Sequence, residues 1–394
     1  MRKYLYPADI LLPKSDFERW AVIACDQYTS DKNYWEQVEK KVGDNPSTLR
    51  LILPEIYLNQ GEQLIESINN NMNKYISDGV FYTVSDSMIY IEREITGGGI
   101  RKGILGLIDL EEYEYEQGKD ALIRATEQTV AERIPPRVKI RKDALLEFPH
   151  LLLFIDDPED KVMRVVSEQK DRLEKLYDFN LMQKGGHIEG YRIEKNEQDS
   201  INTQLEGLIK DGFLFAVGDG NHSLATAKEC YKLKGNRLSR YALVEIVNIH
   251  NPAIEFEPIY RVLFGTTRES ITAFIQERNQ CANSHKTHTF TVIDNKSESE
   301  LEITATSNLP VGTLQSHIDA FLQENPDVSV DYIHGTESVR ELCKEENTVG
   351  FIFNGMEKNE LFDSVIKDGS LPRKTFSMGH ADDKRFYIEG RKIL

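Results

Sequence analysis

Apolar and polar positions alternate along this chain with two different periods, and together they predict a mixture of helices and strands. Residues 61–78 carry apolar side chains at spacings of three and four, which is the pattern of an amphipathic helix. Residues 81–94 and 104–110 are rich in β-branched and aromatic residues and flank three glycines at 97–99. We therefore expect a helix followed by a strand–turn–strand unit.

A second group of predicted elements surrounds a polar, glycine-bearing loop. The continuous apolar run at 151–157 predicts a buried strand, and residues 159–177 are predicted to be helical. The apolar run that begins at residue 213 predicts another strand, which enters a loop ending at residue 223. A helix over 224–235 follows, and Gly235 is expected to end it.

From about residue 266 the chain alternates between short helical and short extended patterns. We predict an α/β (α+β) fold with mixed sheets and flanking helices. We place a core domain, which carries the polar loop, at 1–265 and a smaller C-terminal α+β lobe at 266–394.

The charge balance excludes a broad class of partners. The 394 residues include 48 Lys and Arg against 65 Asp and Glu, a net charge of −17. Such a surface does not attract nucleic acid or anionic lipid in general, because both need a positive field. No apolar run is long enough to span a membrane, and the opening residues turn polar too soon for a signal peptide. We expect a cytoplasmic protein that binds neither nucleic acid nor membrane, and we leave a homo-oligomer open.

The four cysteines are far apart in sequence and form no C-x-x-C pair. They are Cys25, Cys230, Cys281 and Cys343. This spacing excludes a zinc site and a disulfide framework, and it predicts a reducing compartment.

The strongest local signal for chemistry is the loop Gly-Asp-Gly-Asn-His-Ser at 218–223. Its two glycines, Gly218 and Gly220, allow a tight turn and a close approach of the backbone to a ligand. The loop opens a helix, whose free N–H groups and positive dipole end favour an anion. A plain turn capped by Asn221 or Ser223 is the alternative, but Asp and His in one tight loop favour a functional site.

A second signal is a local excess of positive charge between residues 123 and 141. The five cations are Arg124, Arg133, Arg137, Lys139 and Arg141. Because two consecutive prolines at 135–136 break a helix, we predict extended chain after them, with the last three cations on one strand face. Such a face suits phosphate, since Arg offers forked donors, and it equally suits a solvated strand edge protected by charge.

Two other segments offer polar side chains of less specific meaning. Glu127 lies among the cations and is a candidate general base, although a lone carboxylate is more commonly a salt-bridge partner. Near the C-terminus, Pro-Arg-Lys-Thr at 372–375 places Lys374 beside the Thr375 hydroxyl.

Four separated segments, at 21–55, 123–158, 218–228 and 371–376, resemble in order the bacterial family of unknown function called DUF1015. Many members carry Asp-Gly-His-His-Arg where this chain has Asp-Gly-Asn-His-Ser at 219–223. Members also carry His-Glu-x-Thr, which corresponds to Thr126-Glu127-Gln128-Thr129 here. The chain thus keeps the Asp, the Gly and the second His of the loop, and the Glu of the other element. It lacks the first His and the Arg of the loop, and the His that precedes the Glu.

This resemblance implies a ParB/sulfiredoxin-like core and transfer of phosphate from ATP, with Mg²⁺, to a small hydroxyl substrate such as free L-serine. The roles that follow are a base (Glu127 or His222), a metal ligand and catalytic carboxylate (Asp219), and phosphate or nucleotide contacts (Gly218, Gly220, Asn221, Ser223, Arg137, Lys139, Arg141, Lys374 and Thr375). We expect Arg137, Lys139, Arg141, His222 and Lys374 to line one cleft.

Two other functions remain open at this stage. The altered loop favours a nucleotide- or phosphate-binding regulatory or scaffold protein without turnover. A ParB-like DNA-binding or nuclease role is disfavoured by the acidic composition and by the lack of a helix-turn-helix segment.

Overall fold

The computed structural model describes residues 2–116, 119–279 and 286–394, so Cys281 lies outside the described residues. Its α-helices are α1 (Phe17–Trp20), α2 (Lys32–Val42), α3 (Glu62–Ser77), α4 (Ile134–Arg141), α5 (Lys161–Ser167), α6 (Lys195–Glu206), α7 (Asn221–Lys234), α8 (Arg268–Asn279), α9 (Pro310–Glu324), α10 (Thr336–Leu342) and α11 (Glu360–Asp368). Its strands are β1 (Ala8–Pro13), β2 (Val22–Ile23), β3 (Phe81–Ile95), β4 (Gly99–Asp109), β5 (Tyr113–Glu114), β6 (Ile123–Ala125), β7 (Leu146–Glu147), β8 (Leu152–Ile155), β9 (Lys175–Asn180), β10 (His187–Ile193), β11 (Phe215–Asp219), β12 (Tyr241–Asn248), β13 (Phe256–Phe264), β14 (Thr287–Ile293), β15 (Glu298–Thr304), β16 (Ser329–His334), β17 (Thr348–Ile352), β18 (Phe376–Met378), β19 (Phe386–Tyr387) and β20 (Arg391–Lys392).

The chain forms two compact units. Unit 1 comprises Met1–Ala125, Thr129–Ile254 and Gly379–Leu394, and unit 2 comprises Thr126–Gln128 and Glu255–Met378. The predicted domain boundary after residue 265 stays a prediction.

Unit 1 is built on a ten-stranded mixed sheet. Its strand order is β5-β6-β11-β8-β12-β4-β3-β10-β9, and β1 pairs with β3. The pairs β5–β6, β6–β11 and β8–β12 are parallel, and the hairpin β3–β4 is antiparallel. The glycine turn predicted between these two strands is therefore confirmed.

Both faces of this sheet are covered, because successive side chains of one strand enter different apolar clusters. In β3, Ile89 and Ile91 join one cluster, whereas Met88 and Tyr90 join the other. The start of α7 packs Leu224 into the second cluster. The sheet therefore has a buried core on each side, as expected for a sheet flanked by helices.

One helix predicted before the polar loop is partly wrong. Of the residues 159–177, only Lys161–Ser167 form an α-helix, α5, and a 3-10 turn follows at Lys170–Arg172. Residues from Lys175 onward form β9, where Tyr177 and Phe179 are buried and Asp178 and Asn180 are exposed. Pairing with β10 and this two-residue alternation override the helix propensity of the charged stretch before it.

Unit 2 contains a six-stranded sheet of order β15-β14-β17-β13-β16, with β18 paired to β13. Helices α8 to α11 belong to this unit, and their existence agrees with the alternating pattern predicted after residue 266. The α/β class with mixed sheets and flanking helices is confirmed, whereas a ParB/sulfiredoxin-like core stays a prediction. Within the residues described, no helix is both long enough and apolar enough to cross a bilayer.

Candidate functional site

The polar loop has the strand–loop–helix geometry that the sequence predicts. Strand β11 ends at Asp219, Gly220 adopts the left-handed conformation (φ 85°, ψ 27°), and α7 begins at Asn221. Within the described part of the chain, no side chain caps the N-terminus of α7. The first N–H groups of this helix have no partner within the helix either, so they are available to a ligand.

The two glycines of the loop are fixed by close packing. A Cβ atom on Gly218 would lie 2.4 Å from Cε2 of Phe154, and one on Gly220 would lie 2.5 Å from Cδ2 of Leu151. Larger residues would displace the loop, and Gly220 must also hold its positive φ. The backbone can therefore approach a ligand without an intervening side chain.

Asp219 uses both carboxylate oxygens within unit 1. Its Oδ1 accepts the N–H of Gly220 at 3.0 Å, and its Oδ2 lies 3.1 Å from Nζ of Lys384. Lys384 could not be predicted as a partner of this loop, because nothing in the sequence links it to a residue 165 positions away.

His222 is placed as a neutral hydrogen-bond donor. Its Nε2 accepts the N–H of Val130 at 3.2 Å, so the neutral ring carries its proton on Nδ1. Burial, followed by the positive charges of Arg137 and Arg133, lowers the pKa of His222 to about 4. A base role for His222 would require the hydrogen bond to Val130 to break, whereas Nδ1–H can donate without rearrangement.

The lowered pKa of His222 predicts a specific dependence of stability on pH. Between about pH 6.5 and pH 4 the unfolded chain binds a proton that the folded chain excludes, so the free energy of unfolding should fall as the pH falls. Above this window both states are neutral at this residue, and it contributes nothing.

The measurement is urea unfolding across this pH range, with tryptophan fluorescence as the signal. The chain has two tryptophans, Trp20 and Trp35, and both are buried in unit 1, so the signal reports the unit that contains His222. His222→Gln should show a shallower loss of stability below pH 6.5, with a comparison at pH 8 giving its pH-independent cost. Parallel curves for the parent and the variant would contradict the placement.

A chain of hydrogen bonds reaches the loop from behind. The N–H of Cys25 donates to the hydroxyl of Tyr387 at 3.0 Å, and that hydroxyl also lies 3.0 Å from Nδ1 of His150. On the other side of the ring, Nε2 of His150 lies 3.4 Å from Oγ of Ser223. The Ser223 hydroxyl at the start of α7 is therefore linked to a network of polar groups inside unit 1.

The side chains in this relay are buried and polar, so they form a built support rather than a surface feature. Burial raises the pKa of the Cys25 thiol to about 12, which keeps it protonated and unreactive. His150 and Tyr387 are 5% and 2% exposed.

The strand face predicted for the three cations at 137–141 is wrong, because these residues form α4. Prolines 135 and 136 occupy its first turn, where a missing N–H costs no hydrogen bond, so they begin a helix instead of breaking one. Arg137 and Arg141 are four residues apart and share a helix face, and Lys139 is exposed.

The two arginines of α4 have different surroundings. Arg137 pairs with Glu55 and lies close enough to His222 to lower its pKa. Arg141 pairs with the buried carboxylate of Glu147, which also binds Arg391. The structure therefore places Arg137 near the loop, whereas Arg141 is held in a buried ion network of unit 1.

Unit 2 brings together residues that are far apart in sequence. The N–H of Thr375 donates to Oε1 of Glu127 at 3.4 Å, and the N–H of Leu371 donates to the carbonyl of Thr126 at 2.7 Å. The Thr375 hydroxyl is used by the carbonyl of Pro372 at 2.6 Å. Glu127 and Thr375 are thus neighbours in unit 2, and their roles in the site stay predictions.

Lys374 belongs to a cationic cluster around one aromatic ring of unit 2. Its Nζ lies 5.0 Å from the ring centre of Tyr332, which the guanidinium groups of Arg373 and buried Arg261 also approach, at 5.4 and 4.6 Å. Arg261 further donates to the carbonyl of Lys374 at 3.1 Å. The convergence of Lys374 with the loop of unit 1 stays a prediction.

The family of the chain can now be stated. The model of the family described as "Protein of unknown function (DUF1015)" matches residues 5–322. The chain belongs to this family. No curated protein matches it.

Solved structures similar to this DUF1015 chain have low sequence identity to it. A free serine kinase in complex with ADP is 10% identical, with a TM-score of 0.42, over 76% of this chain and 94% of that chain. SbnI with a C-terminal truncation, from Staphylococcus aureus, is 12% identical, with a TM-score of 0.37, over 70% and 82%. A conserved hypothetical protein from Pyrococcus furiosus is 12% identical, with a TM-score of 0.37, over 73% and 94%. At these scores the likeness carries no argument about activity.

The loop of this DUF1015 chain has oxygen atoms that fit a magnesium ion. Mg²⁺ prefers carboxylate and amide oxygens. Asp219 supplies a carboxylate, and Oδ1 of Asn221 is buried without a hydrogen-bond partner among the described atoms. Because buried polar atoms are nearly always satisfied, this amide oxygen points to a missing partner. Asp219 and Asn221 are the loop residues that would hold the ion, and Oδ2 of Asp219 would be open to it only once the Lys384 ammonium turns away to the phosphates.

A second group of possible metal ligands in unit 1 has its charge already compensated. Ligand atoms of Asp178, His187 and Glu189 lie within 4.8 Å of one another. Burial acts to raise the pKa of Glu189, but hydrogen bonds from Lys170 and Lys175 outweigh it and lower this pKa to about 2. Two ammonium groups thus already occupy the place of a cation.

Proposed function

We propose that this chain is a small-molecule kinase, which transfers phosphate from ATP to a hydroxyl substrate such as free L-serine. One observation carries the proposal: among the described residues no side chain caps α7, which begins directly after a loop whose packing leaves no room for side chains at Gly218 and Gly220. Such a helix start binds the oxygens of a phosphate through backbone N–H groups and the helix dipole.

The side chains around the helix start suit a phosphate group. Lys384 provides a full positive charge at Asp219, and His222 provides Nδ1–H as a neutral donor. Ser223 provides a hydroxyl, and its oxygen lies 3.4 Å from Nε2 of His150. Several donors of different geometry can therefore contact one phosphate chain, and such positioning supplies most of the catalysis in phosphoryl transfer.

The proposed reaction is a direct transfer. The acceptor hydroxyl oxygen attacks the γ-phosphorus, the bond from that phosphorus to the β–γ bridging oxygen breaks, and ADP leaves. The hydroxyl proton passes to the carboxylate of Glu127. Mg²⁺, held by Asp219 and Asn221, would neutralise phosphate charge when bound.

A nucleotide-binding regulator without turnover is the second candidate. The specific observation that favours it is the hydrogen bond from Val130 to Nε2 of His222, which occupies the nitrogen that a histidine base would use. A ParB-like DNA-binding or nuclease role has no comparable support, and a net charge of −17 opposes it.

The test pairs binding with turnover. The purified chain is titrated with ATP by calorimetry, and it is then incubated with ATP, Mg²⁺ and a panel of amino acids and small alcohols, with product detected by phosphorus NMR. L-Serine should yield a phosphoester, and L-alanine, which lacks the hydroxyl, should not. Nucleotide binding with no product from any acceptor would select the regulator, and no nucleotide binding at millimolar concentration would reject both.

A further inference from the structure

Lys384 brings an ammonium group against the polar loop. Its Nζ lies 3.1 Å from Oδ2 of Asp219, and the two side chains are 21% and 13% exposed. The other carboxylate oxygen of Asp219 accepts the N–H of Gly220, the residue directly before α7. The side chain of Asp219 is therefore all that separates the Lys384 ammonium group from the backbone directly before α7.

The backbone that presents Lys384 is held by buried guanidinium groups. Arg93 donates to the main-chain oxygens of Asp382 at 2.6 Å, of Asp383 at 3.1 Å and of Lys384 at 2.6 Å. Arg101 adds a bond to the oxygen of Asp383 at 2.8 Å. Because these donors are themselves buried, the Lys384 side chain extends from a fixed position, as a binding residue requires.

The next residue shows what a purely structural cation looks like in this segment. Arg385 is 3% exposed, and its guanidinium pairs with Glu245 and Glu389, each at 2.7 Å. It has carboxylates on two sides and lies inside the core of unit 1. Lys384 instead lies against Asp219 of the loop, and its side chain is 21% exposed.

We propose that Lys384 binds the terminal phosphates of the nucleotide, and that Asp219 holds its ammonium group in place before they arrive. This inference rests on the proposed function. A helix start supplies about half a positive charge, whereas ATP carries several negative charges, so a point charge beside the loop is needed. The contribution of Lys384 should therefore grow with the number of phosphates on the ligand.

The experiment compares Lys384→Met with the parent chain by calorimetric titration with adenosine, AMP, ADP and ATP in EDTA, so that no metal takes part. We expect ATP affinity to fall on the order of 10–100-fold, because a charge-assisted hydrogen bond is lost. The loss should be smaller for AMP and absent for adenosine. Lys384→Arg, which keeps the charge, should recover part of the ATP affinity. Lys392→Met is the matched control, since Lys392 is an exposed lysine of the same C-terminal segment.

The double variant Lys384→Met with Asp219→Asn separates attraction by Lys384 from repulsion by an exposed Asp219. Continued weak ATP binding supports the proposal, and full recovery overturns it. ATP affinity in Lys384→Met equal to that of the parent, or an equal loss for adenosine and ATP, also overturns it. A parent chain that binds no nucleotide rejects the proposed function itself, which is a different outcome. Tryptophan fluorescence confirms that each variant folds, because Trp20 and Trp35 report unit 1.

Discussion

Replacing Glu127 by Gln should lower the rate of phosphoryl transfer by ~100-fold or more, because the amide cannot accept the acceptor's proton. The fold should be preserved, since Gln has the same shape and its Oε1 can still accept the N–H of Thr375. Nucleotide affinity should stay within about twofold of the parent value, since in this proposal the phosphates are bound by the loop. Single-turnover kinetics with ATP and L-serine, combined with calorimetry, measure the two effects separately.

The matched control for this substitution is Glu132→Gln, which removes an exposed carboxylate five residues further along the chain. It should leave both rate and affinity unchanged. A Glu127→Gln variant that turns over at the parent rate would remove Glu127 from the mechanism. His222 would then be the remaining base, at the cost of its hydrogen bond from Val130.

The sequence predicts the local features of the loop well, because they depend on neighbouring residues. The apolar run before Gly218, the glycines and the helix that Gly235 ends are all found in β11 and α7. Glycine conformation and apolar periodicity act over a few residues, so both can be read without knowledge of the tertiary fold.

The basic stretch at 137–141 was assigned to the wrong secondary structure, because two prolines are compatible with either the end or the start of a helix. Prolines 135 and 136 were interpreted as helix breakers, yet they form the first turn of α4. Proline disrupts a helix where its missing N–H or its ring conflicts with a preceding α-helical turn, whereas α4 is preceded by a 3-10 turn at Ala131–Arg133 and has its prolines at the start. In the helix, Arg137 lies close enough to His222 to lower its pKa, and Arg141 binds Glu147.

Long-range partners could not be predicted in the same way. Lys384 meets Asp219 across 165 residues, and Tyr387 meets His150 across 237. No spacing rule links such positions, since their contact follows from strand order and from the buried guanidinium groups that hold residues 382–384. The positions of Lys384, Tyr387 and His150 around the loop therefore depend on the whole fold of unit 1.

Replacing Gly220 by Ala should lower the stability of unit 1. A side chain at φ 85° costs about 1–2 kcal/mol, and the new Cβ would lie 2.5 Å from Cδ2 of Leu151, a contact that costs about 1–3 kcal/mol more. The free energy of unfolding should fall by about 2–5 kcal/mol. Urea unfolding monitored by tryptophan fluorescence measures this change. ATP affinity should also fall, because relief of this contact moves the N–H groups that begin α7.

The other end of the same helix provides the control. Gly235 has a similar left-handed conformation (φ 63°), but a Cβ there would meet no atom of the described chain within 4 Å. Gly235→Ala should therefore cost only the backbone part, about 1–2 kcal/mol, and leave ATP affinity unchanged. The difference between the two variants measures the close packing of the loop against Leu151. Equal losses would mean that the loop yields freely to a side chain, and a loop that yields freely would not hold its N–H groups in the fixed arrangement that phosphate binding requires.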